Sequence, residues 1–413
     1  MSLRYDLMLI YEAALAAVNG RDCVERALER HQLMGDVYVA AIGKAAAAMF
    51  KGTSSSLTDS FKRGLLITKT GHEDGFKTGP SVEVIEAGHP CPTQASLDAG
   101  QALLKFIQST PPDAQLLFLI SGGASSLVEV LADGITLAEL RRVNDWLLGS
   151  GLDIHAMNHV RKAISCIKGG RLAQQLAGRR ATVLLISDVP GDEPSTIGSG
   201  LLVPEILQET EAPLELPDWI ETLMQKGTPA PQHGDPSFDS VKTEIVACLD
   251  DAKRAAAEKG RTLGYEVYEH AAFLGGDAVL VGRQLAGELL SGPEGLHVWG
   301  GETTVRLPNH PGRGGRNQQL ALAAAIELDG EDSVAFVAAG TDGTDGPTFD
   351  AGALVDGGTI TRGEDEGLNP KIALAEADAG TFLAASGDLI QTGPTGTNVM
   401  DIMLGLKGRS GQG

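Results

Sequence analysis

An α/β fold, with a mostly parallel sheet covered by helices on both faces, is what this sequence predicts, on three observations. Short apolar, β-branched runs alternate with helix-like stretches from the start of the chain. The runs end in polar, glycine-rich turns, as strands do where they feed the ligand-binding rim of such a sheet. Aromatics are only 4% of the 413 residues while glycine numbers 53, a balance that suits close helix-on-sheet packing better than a β-sandwich. At about 100–200 residues per domain the chain has room for two or three domains.

The elements follow in order. Residues 1–18 place Leu7, Ile10, Ala14 and Val18 on one helical face, and Arg4, Asp6 and Glu12 interrupt any signal-like apolar run. Residues 37–42 read as a strand, broken by Gly43-Lys44, and the alanine run 45–48 opens a helix. Strands at 65–68 and 82–86 precede a helix at 93–108. The strand at 116–120 runs into Ser121-Gly122-Gly123-Ala124-Ser125-Ser126, with residues 124–130 turning helical. Thr136 and Glu139 spell a capping box for a helix towards Leu148. Residues 155–176 are helical in composition, interrupted at Gly169-Gly170, and the strand at 183–186 ends in Ser187-Asp188-Val189-Pro190-Gly191-Asp192.

Between 204 and 236 stand Pro204, Pro213, Pro217, Pro229, Pro231 and Pro236, beside acidic residues. This reads as an interdomain passage and predicts domains 1–236 and 237–413. Ser240 then caps a periodic helix carrying Val241, Ile245, Leu249 and Ala252. A strand at 265–268 and a helix from Asp277 follow. Strands at 297–299 and 334–339 open onto Gly300-Gly301-Glu302-Thr303-Thr304 and Gly340-Thr341-Asp342-Gly343-Thr344-Asp345-Gly346. After Thr392-Gly393-Pro394-Thr395-Gly396-Thr397-Asn398, residues 398–406 fit strand or helix and leave open which domain they pack on.

Lys+Arg 33 against Asp+Glu 54 gives 33 − 54 = −21, a field that repels nucleic acid and acidic membranes. Cys23, Cys91, Cys166 and Cys248 are far apart with no C-x-x-C pair, as in a reducing compartment. No run approaches the ~20 apolar residues of a membrane span. The expectation is a soluble cytoplasmic protein.

The standard nucleotide signatures are missing. Gly43-Lys44 lacks the preceding P-loop glycine, and Ala45 stands where Ser or Thr is needed. No G-x-G-x-x-G follows a strand; Gly198-Ser199-Gly200 lacks the third glycine. His155 and His159 share a helix face without a third zinc ligand, which favours a structural role. The remaining chemistry lies in the turns. Lys44 at a strand-to-helix switch is either a cation over the strand ends or a solvated lysine. Ser121, Gly122, Gly123, Ser125 and Ser126 form an anion-binding turn or a merely tight βα connection; their order does not match a nucleophile elbow. Arg161, Lys162, Lys168 and Arg171 make the densest basic cluster, suited to a carboxylate or phosphate or to pairing with nearby acids. Asp188, Asp192, Asp342 and Asp345 cap their own turns, hold Mg²⁺ or take a proton. Arg316, followed by Asn317, opens a helix where the dipole disfavours a cation, which makes sense if an anion lies beside it.

Taken together these segments resemble the glycerate 2-kinase family, often labelled hydroxypyruvate reductase. The resemblance runs through Ala41-Ile42-Gly43-Lys44-Ala45, Gly88-His89-Pro90-Cys91-Pro92, Ser121-Gly122-Gly123-Ala124-Ser125, Asn158-His159-Val160-Arg161-Lys162 and Lys168-Gly169-Gly170-Arg171-Leu172. It continues through Ser187-Asp188-Val189, Gly300-Gly301-Glu302-Thr303-Thr304-Val305, Gly315-Arg316-Asn317-Gln318, the 340–346 turn and Thr395-Gly396-Thr397-Asn398. It implies a Rossmann-like doubly wound N-terminal domain, a smaller α/β domain of the MOFRL type, and a cleft where ATP phosphorylates D-glycerate on its 2-hydroxyl. Lys44 and Arg316 match the favoured catalytic positions. With that chemistry in view, Asp188 is the first choice of proton acceptor, and Asp192, Asp342 and Asp345 are the further Mg²⁺ candidates. Arg161 and Lys162 would pair the glycerate carboxylate. The 121–126 turn, Lys168, Gly301, Glu302, Asn317, Thr341, Asp342, Gly343, Thr395, Thr397 and Asn398 complete the substrate and nucleotide contacts. A homodimer is left open. The rival readings are an NAD(P)H-dependent hydroxypyruvate reductase, which the missing dinucleotide fingerprint disfavours, and a non-catalytic sensor.

Overall fold

The computed structural model describes residues 2–152, 154–205 and 215–408. Pro213 lies outside the described residues, as does the side chain of His155. The chain divides into two compact units, Gly20–Ala247 and Met1–Asn19 with Cys248–Gly413.

The first unit is built on six strands: β1 (Val37–Ile42), β2 (Phe61–Lys69), β3 (Val82–Ala87), β4 (Gln115–Ile120), β5 (Arg180–Ile186) and β6 (Val241–Ala247). Their order is β3-β2-β1-β4-β5-β6, and every pair is parallel. This is the Rossmann-like doubly wound order, with its switch point between β1 and β4. Both central strands are buried along nearly their whole length, which explains their continuous apolar spelling. Leu103, Phe106, Phe118, Leu172 and Leu185 belong to one core cluster. Thr136 accepts the Glu139 N–H at 3.2 Å and the Glu139 carboxylate takes the Thr136 N–H at 2.7 Å, the capping box that the sequence predicts.

The second unit carries β7 (Val267–Leu274), β8 (Gly295–Gly301), β9 (Val334–Gly340), β10 (Gly352–Asp356), β11 (Leu389–Ile390) and β12 (Asp401–Lys407), in the order β11-β10-β9-β12-β8-β7. Here the sheet is mixed. Only β7 and β8 run parallel, while β12 lies antiparallel between β8 and β9. Helices Ala278–Ser291 and Arg316–Glu327 contribute to its core with Trp299, Phe336 and Met403.

Three sequence expectations are corrected. Residues 241–247 form a strand, not the start of a helix, because Val241, Thr243 and Ile245 alternate with Lys242 and Glu244 and pair with β5. The helix begins one residue after Cys248, whose N–H donates to Asp251. The proline-rich passage does not end a domain at 236. Ile220 and Leu223 are buried in a cluster with Val143 and Val160, and β6 completes the first sheet. Residues 1–19 belong instead with the second unit, where helix Leu3–Ala17 packs on helix Leu249–Thr262. The ambiguous C-terminal segment is a central strand of the second sheet. Among the described residues no helix is long and apolar enough to cross a membrane.

Candidate active site

In the first unit the chain leaves β1 and β4 at the switch point, and the two turns close on each other. The Lys44 N–H donates to the Gly122 carbonyl at 2.9 Å, and the Ala45 N–H to Ser121 Oγ at 3.0 Å. Thr68, at the end of β2, donates to the Gly43 carbonyl at 2.9 Å. Gly43 sits at φ +133°, and a β-carbon there would fall 2.2 Å from Ser121 Oγ, so only glycine fits. Ser121 is therefore a buried clamp between the two turns. This closure has a further consequence. The N–H groups of the first βα turn, which cradle pyrophosphate in dinucleotide-binding proteins, are already spent on Gly122 and Ser121.

Further along the same turn, no acceptor among the described residues receives the Gly122 or Gly123 N–H. Gly122 is buried, and buried donors are nearly always paired, so this turn is ready for an external oxyanion. Ser126 Oγ donates back to the Gly123 carbonyl, and Ser125 Oγ lies 2.7 Å from Ser199 Oγ. Ser199, a residue that sequence reasoning did not single out, holds positive φ and passes its carbonyl to the Gly169 N–H at 3.0 Å.

The basic cluster is mostly absorbed internally. Lys168 is buried and pairs with Glu129, whose other oxygen accepts from Ser165 Oγ at 2.5 Å. An ammonium buried in this way already has its charge matched within the protein. Arg171 donates to the carbonyls of Lys162, Lys168 and Thr228, tying down the glycine break. Arg161 donates to Asn144 Oδ1 at 3.0 Å, and burial lowers its pKa. Lys162 pairs with Glu205 at 3.4 Å. Both have protein partners. Asp188 and Asp192 are half-buried.

In the second unit β8 and β9 end and β12 begins at one end of the central strands, where Asp401 stands opposite Gly301 and Gly340. Asp401, 1% exposed, was not among the sequence candidates. It accepts Arg316 Nε at 2.5 Å and Nη2 at 3.0 Å, and the Glu302 carboxylate forms an ion pair with Nη1 at 2.7 Å. The anion beside Arg316 that the sequence called for is thus supplied in part by the protein. Burial works against the Arg316 charge, but Asp401 and then Glu302 outweigh it and raise its pKa. Two of the five guanidinium N–H groups are hydrogen-bonded to Asp401, Nη1 is ion-paired with Glu302, and donors remain for a ligand oxygen. The guanidinium is held from two sides, and the side chain is still about a third exposed.

Asp345 caps the Arg316 helix by accepting the Asn317 N–H at 3.0 Å and the Gln318 N–H at 2.8 Å. It is 2% exposed, and burial pushes its pKa up to about 7. Both oxygens serve the helix. Because the folded pKa lies above the ordinary 3.8, the native state keeps a proton that the unfolded chain releases. This group's contribution is complete below about pH 4 and is lost as pH rises towards 7. Melting temperatures measured from pH 4 to 8 should therefore fall less steeply in D345N than in wild type; parallel curves would refute the shift.

Around this pair, Thr341 Oγ1 donates to the Met400 carbonyl at 2.7 Å and accepts the Val399 N–H at 2.8 Å. Thr395 Oγ1 donates to the Thr341 carbonyl. Both hydroxyls shape loops, and neither is left for substrate as its first partner. Gly301 lies within β8, and Gly343 packs on the Gly393 carbonyl. Asp342 Oδ1 accepts from the Thr344 N–H and hydroxyl, each at 3.0 Å. Asn317 Oδ1 and Thr397 Oγ1 are buried without a hydrogen-bond partner among the described residues, and Asn398 is buried nearby in sequence. Tyr11 reaches this end of the sheet from the N-terminal helix, donating to the Gly340 carbonyl at 2.9 Å. Burial, and then the Asp342 and Asp401 charges, raise its phenol pKa. Neither Tyr11 nor Asp401 carried a local signal beyond a polar residue at the border of an apolar run. Among the described residues no three His, Cys, Asp or Glu side chains gather as a metal cage.

The chain's relatives share this architecture. The profile of the domain of unknown function DUF4147 matches residues 6–218, and that of the MOFRL family residues 295–401. A D-glycerate 2-kinase from Thermotoga maritima is 36% identical over 90% of each chain. A protein of Agrobacterium vitis bearing a hydroxypyruvate reductase name is 36% identical over 97% of this chain and 94% of its own. The crystal structure of a glycerate kinase from Thermotoga maritima superposes with a TM-score of 0.85 at 31% identity, covering 98% of this chain and 99% of that one. With both domain profiles in order and a solved relative matched along nearly its whole length, this chain belongs to the MOFRL-type glycerate 2-kinase family.

Proposed function

We propose that this chain is a cytoplasmic glycerate 2-kinase that transfers the γ-phosphoryl group of ATP to the 2-hydroxyl of D-glycerate. The observation that carries the proposal is the Arg316 guanidinium, clamped by Asp401 and Glu302 and still presenting donors. Phosphoryl transfer asks for fixed positive charge more than for covalent help, because the transition state spreads negative charge over its equatorial oxygens. Arg316 supplies that charge in the second unit. Lys44 and the Gly122 and Gly123 N–H groups supply donors in the first. Asp188 is the proposed proton acceptor.

Mg²⁺ fits this donor set as an ion that travels with the nucleotide, held by one or two carboxylates from Asp188, Asp192 or Asp342 and otherwise by phosphate oxygens and water. When bound it neutralises phosphate charge. Chelation with excess EDTA should abolish turnover and added Mg²⁺ restore it; turnover indifferent to both would remove the ion from the reaction.

The activity test is a coupled assay for ADP release with D-glycerate. Coupling to enolase without a mutase reads 2-phosphoglycerate directly, so a signal only after mutase addition would move the phosphate to carbon 3. The reductase reading is tested by NADH absorbance with hydroxypyruvate, where no oxidation is expected. The spent N–H groups of the first βα turn favour the kinase over that reading.

A further inference from the structure

The Lys44 turn has a neighbour that charge and glycine content do not reveal. Gly123 sits at φ +83°, and a β-carbon placed there would lie 2.9 Å from Cδ2 and 3.1 Å from Nε2 of His89. The same position lies 3.3 Å from Cγ of Lys44. The Nε2 edge of the imidazole and the stem of the lysine therefore press on one bare glycine. Any side chain at position 123 would drive both away.

His89 is carried there by a pinned loop. β3 ends at Ala87, and the Gly88 N–H donates to Thr93 Oγ1 at 3.3 Å. Thr93 is the N-cap of helix Gln94–Ser109, its own N–H bonded to Ser96 Oγ at 3.0 Å. Arg141 Nε fixes the Pro92 carbonyl at 3.1 Å. Loops held at both ends position side chains better than free ones, as a binding residue requires. His89 and Lys44 are each half-buried, and the Gly122 and Gly123 N–H groups have no acceptor among the described residues. Imidazole, ammonium and two backbone N–H groups can all donate, and together they suit a ligand that only accepts.

We propose that His89 is a substrate-binding residue, its Nε2 donating to an oxyanion that Lys44 and the Gly122–Gly123 backbone also hold. The oxyanion is the glycerate carboxylate or a nucleotide phosphate, an identification that rests on the kinase reading above.

Steady-state kinetics of H89L, H89N and H89Q, with D-glycerate and ATP varied separately, test it. H89L should raise one KM about tenfold or more with little change in kcat. A rise in the D-glycerate KM assigns the carboxylate, and a rise in the ATP KM assigns the phosphate. The amide of Gln reaches the level of Nε2 and that of Asn does not, so H89Q should recover most of the loss and H89N little. That contrast also serves if H89L fails to fold, since a packing role would not separate the two amides. Both KM values within twofold of wild type in H89L or H89N, or equal losses in H89N and H89Q, would overturn the proposal. Calorimetric titration of D-glycerate and of ADP into wild type and H89N separates the two readings. Absent wild-type turnover sinks the kinase, while wild-type binding weakened in H89N still supports the oxyanion site and unweakened binding removes it.

Discussion

R316A lowers kcat/KM by about 10³-fold or more, the scale on which an arginine that stabilises a transferring phosphoryl group acts. It also destabilises the fold. Asp401 would be left as a buried carboxylate without its partner, at a cost of about 3–5 kcal/mol. The two effects are separable. R316K keeps the charge but cannot reproduce the planar fork on the two Asp401 oxygens. It should recover more of the stability than of the activity. Melting temperatures and steady-state kinetics on the same three proteins decide the matter. A folded R316A whose kcat/KM stays within a few-fold of wild type would remove Arg316 from the reaction. It would leave the helix start, with its Asp345 cap, as a purely structural junction.

K44A should cost about 10²–10³-fold in kcat/KM, the loss that follows removal of one donor from an oxyanion-stabilising set. The turn itself should stay closed. The contacts that close the turn are the Lys44 N–H to Gly122, the Ala45 N–H to Ser121 and Thr68 to Gly43, and all survive truncation of the side chain. A large fall in melting temperature would therefore mean that the ammonium holds structure. K44R tests geometry, because a guanidinium presents its donors in a planar fork where the ammonium is a compact point charge. Activity in K44R equal to wild type would show that charge alone suffices there.

Most of the first unit was legible because its signals are local. Buried parallel strands spell themselves as continuous apolar runs, and the turns at the switch point announce themselves by glycine. The Thr136–Glu139 capping box is written within four residues. The error at residues 241–247 has a local cause as well. Val241, Ile245, Leu249 and Ala252 fit a helical period, while Val241, Thr243 and Ile245 fit a strand. A partner strand decided between them.

The site was legible only in outline. Arg316 stood out as a cation where a helix dipole opposes one, yet its holder Asp401 is 85 residues away. Lys168 looked like a ligand because its partner Glu129, 39 residues earlier, had no mark of its own. Tyr11 meets the Gly340 carbonyl across 329 residues.

By itself the sequence determined the α/β class, the order of most elements, the glycine turns at strand ends and the family. Each of these is encoded in residues adjacent along the chain, through backbone preference, side-chain period and the motifs of the turns. Only the tertiary structure decided which charged groups are spent on one another and which still present donors. Pairing in a folded interior depends on distance in space and on burial, and neither is carried by position along the chain.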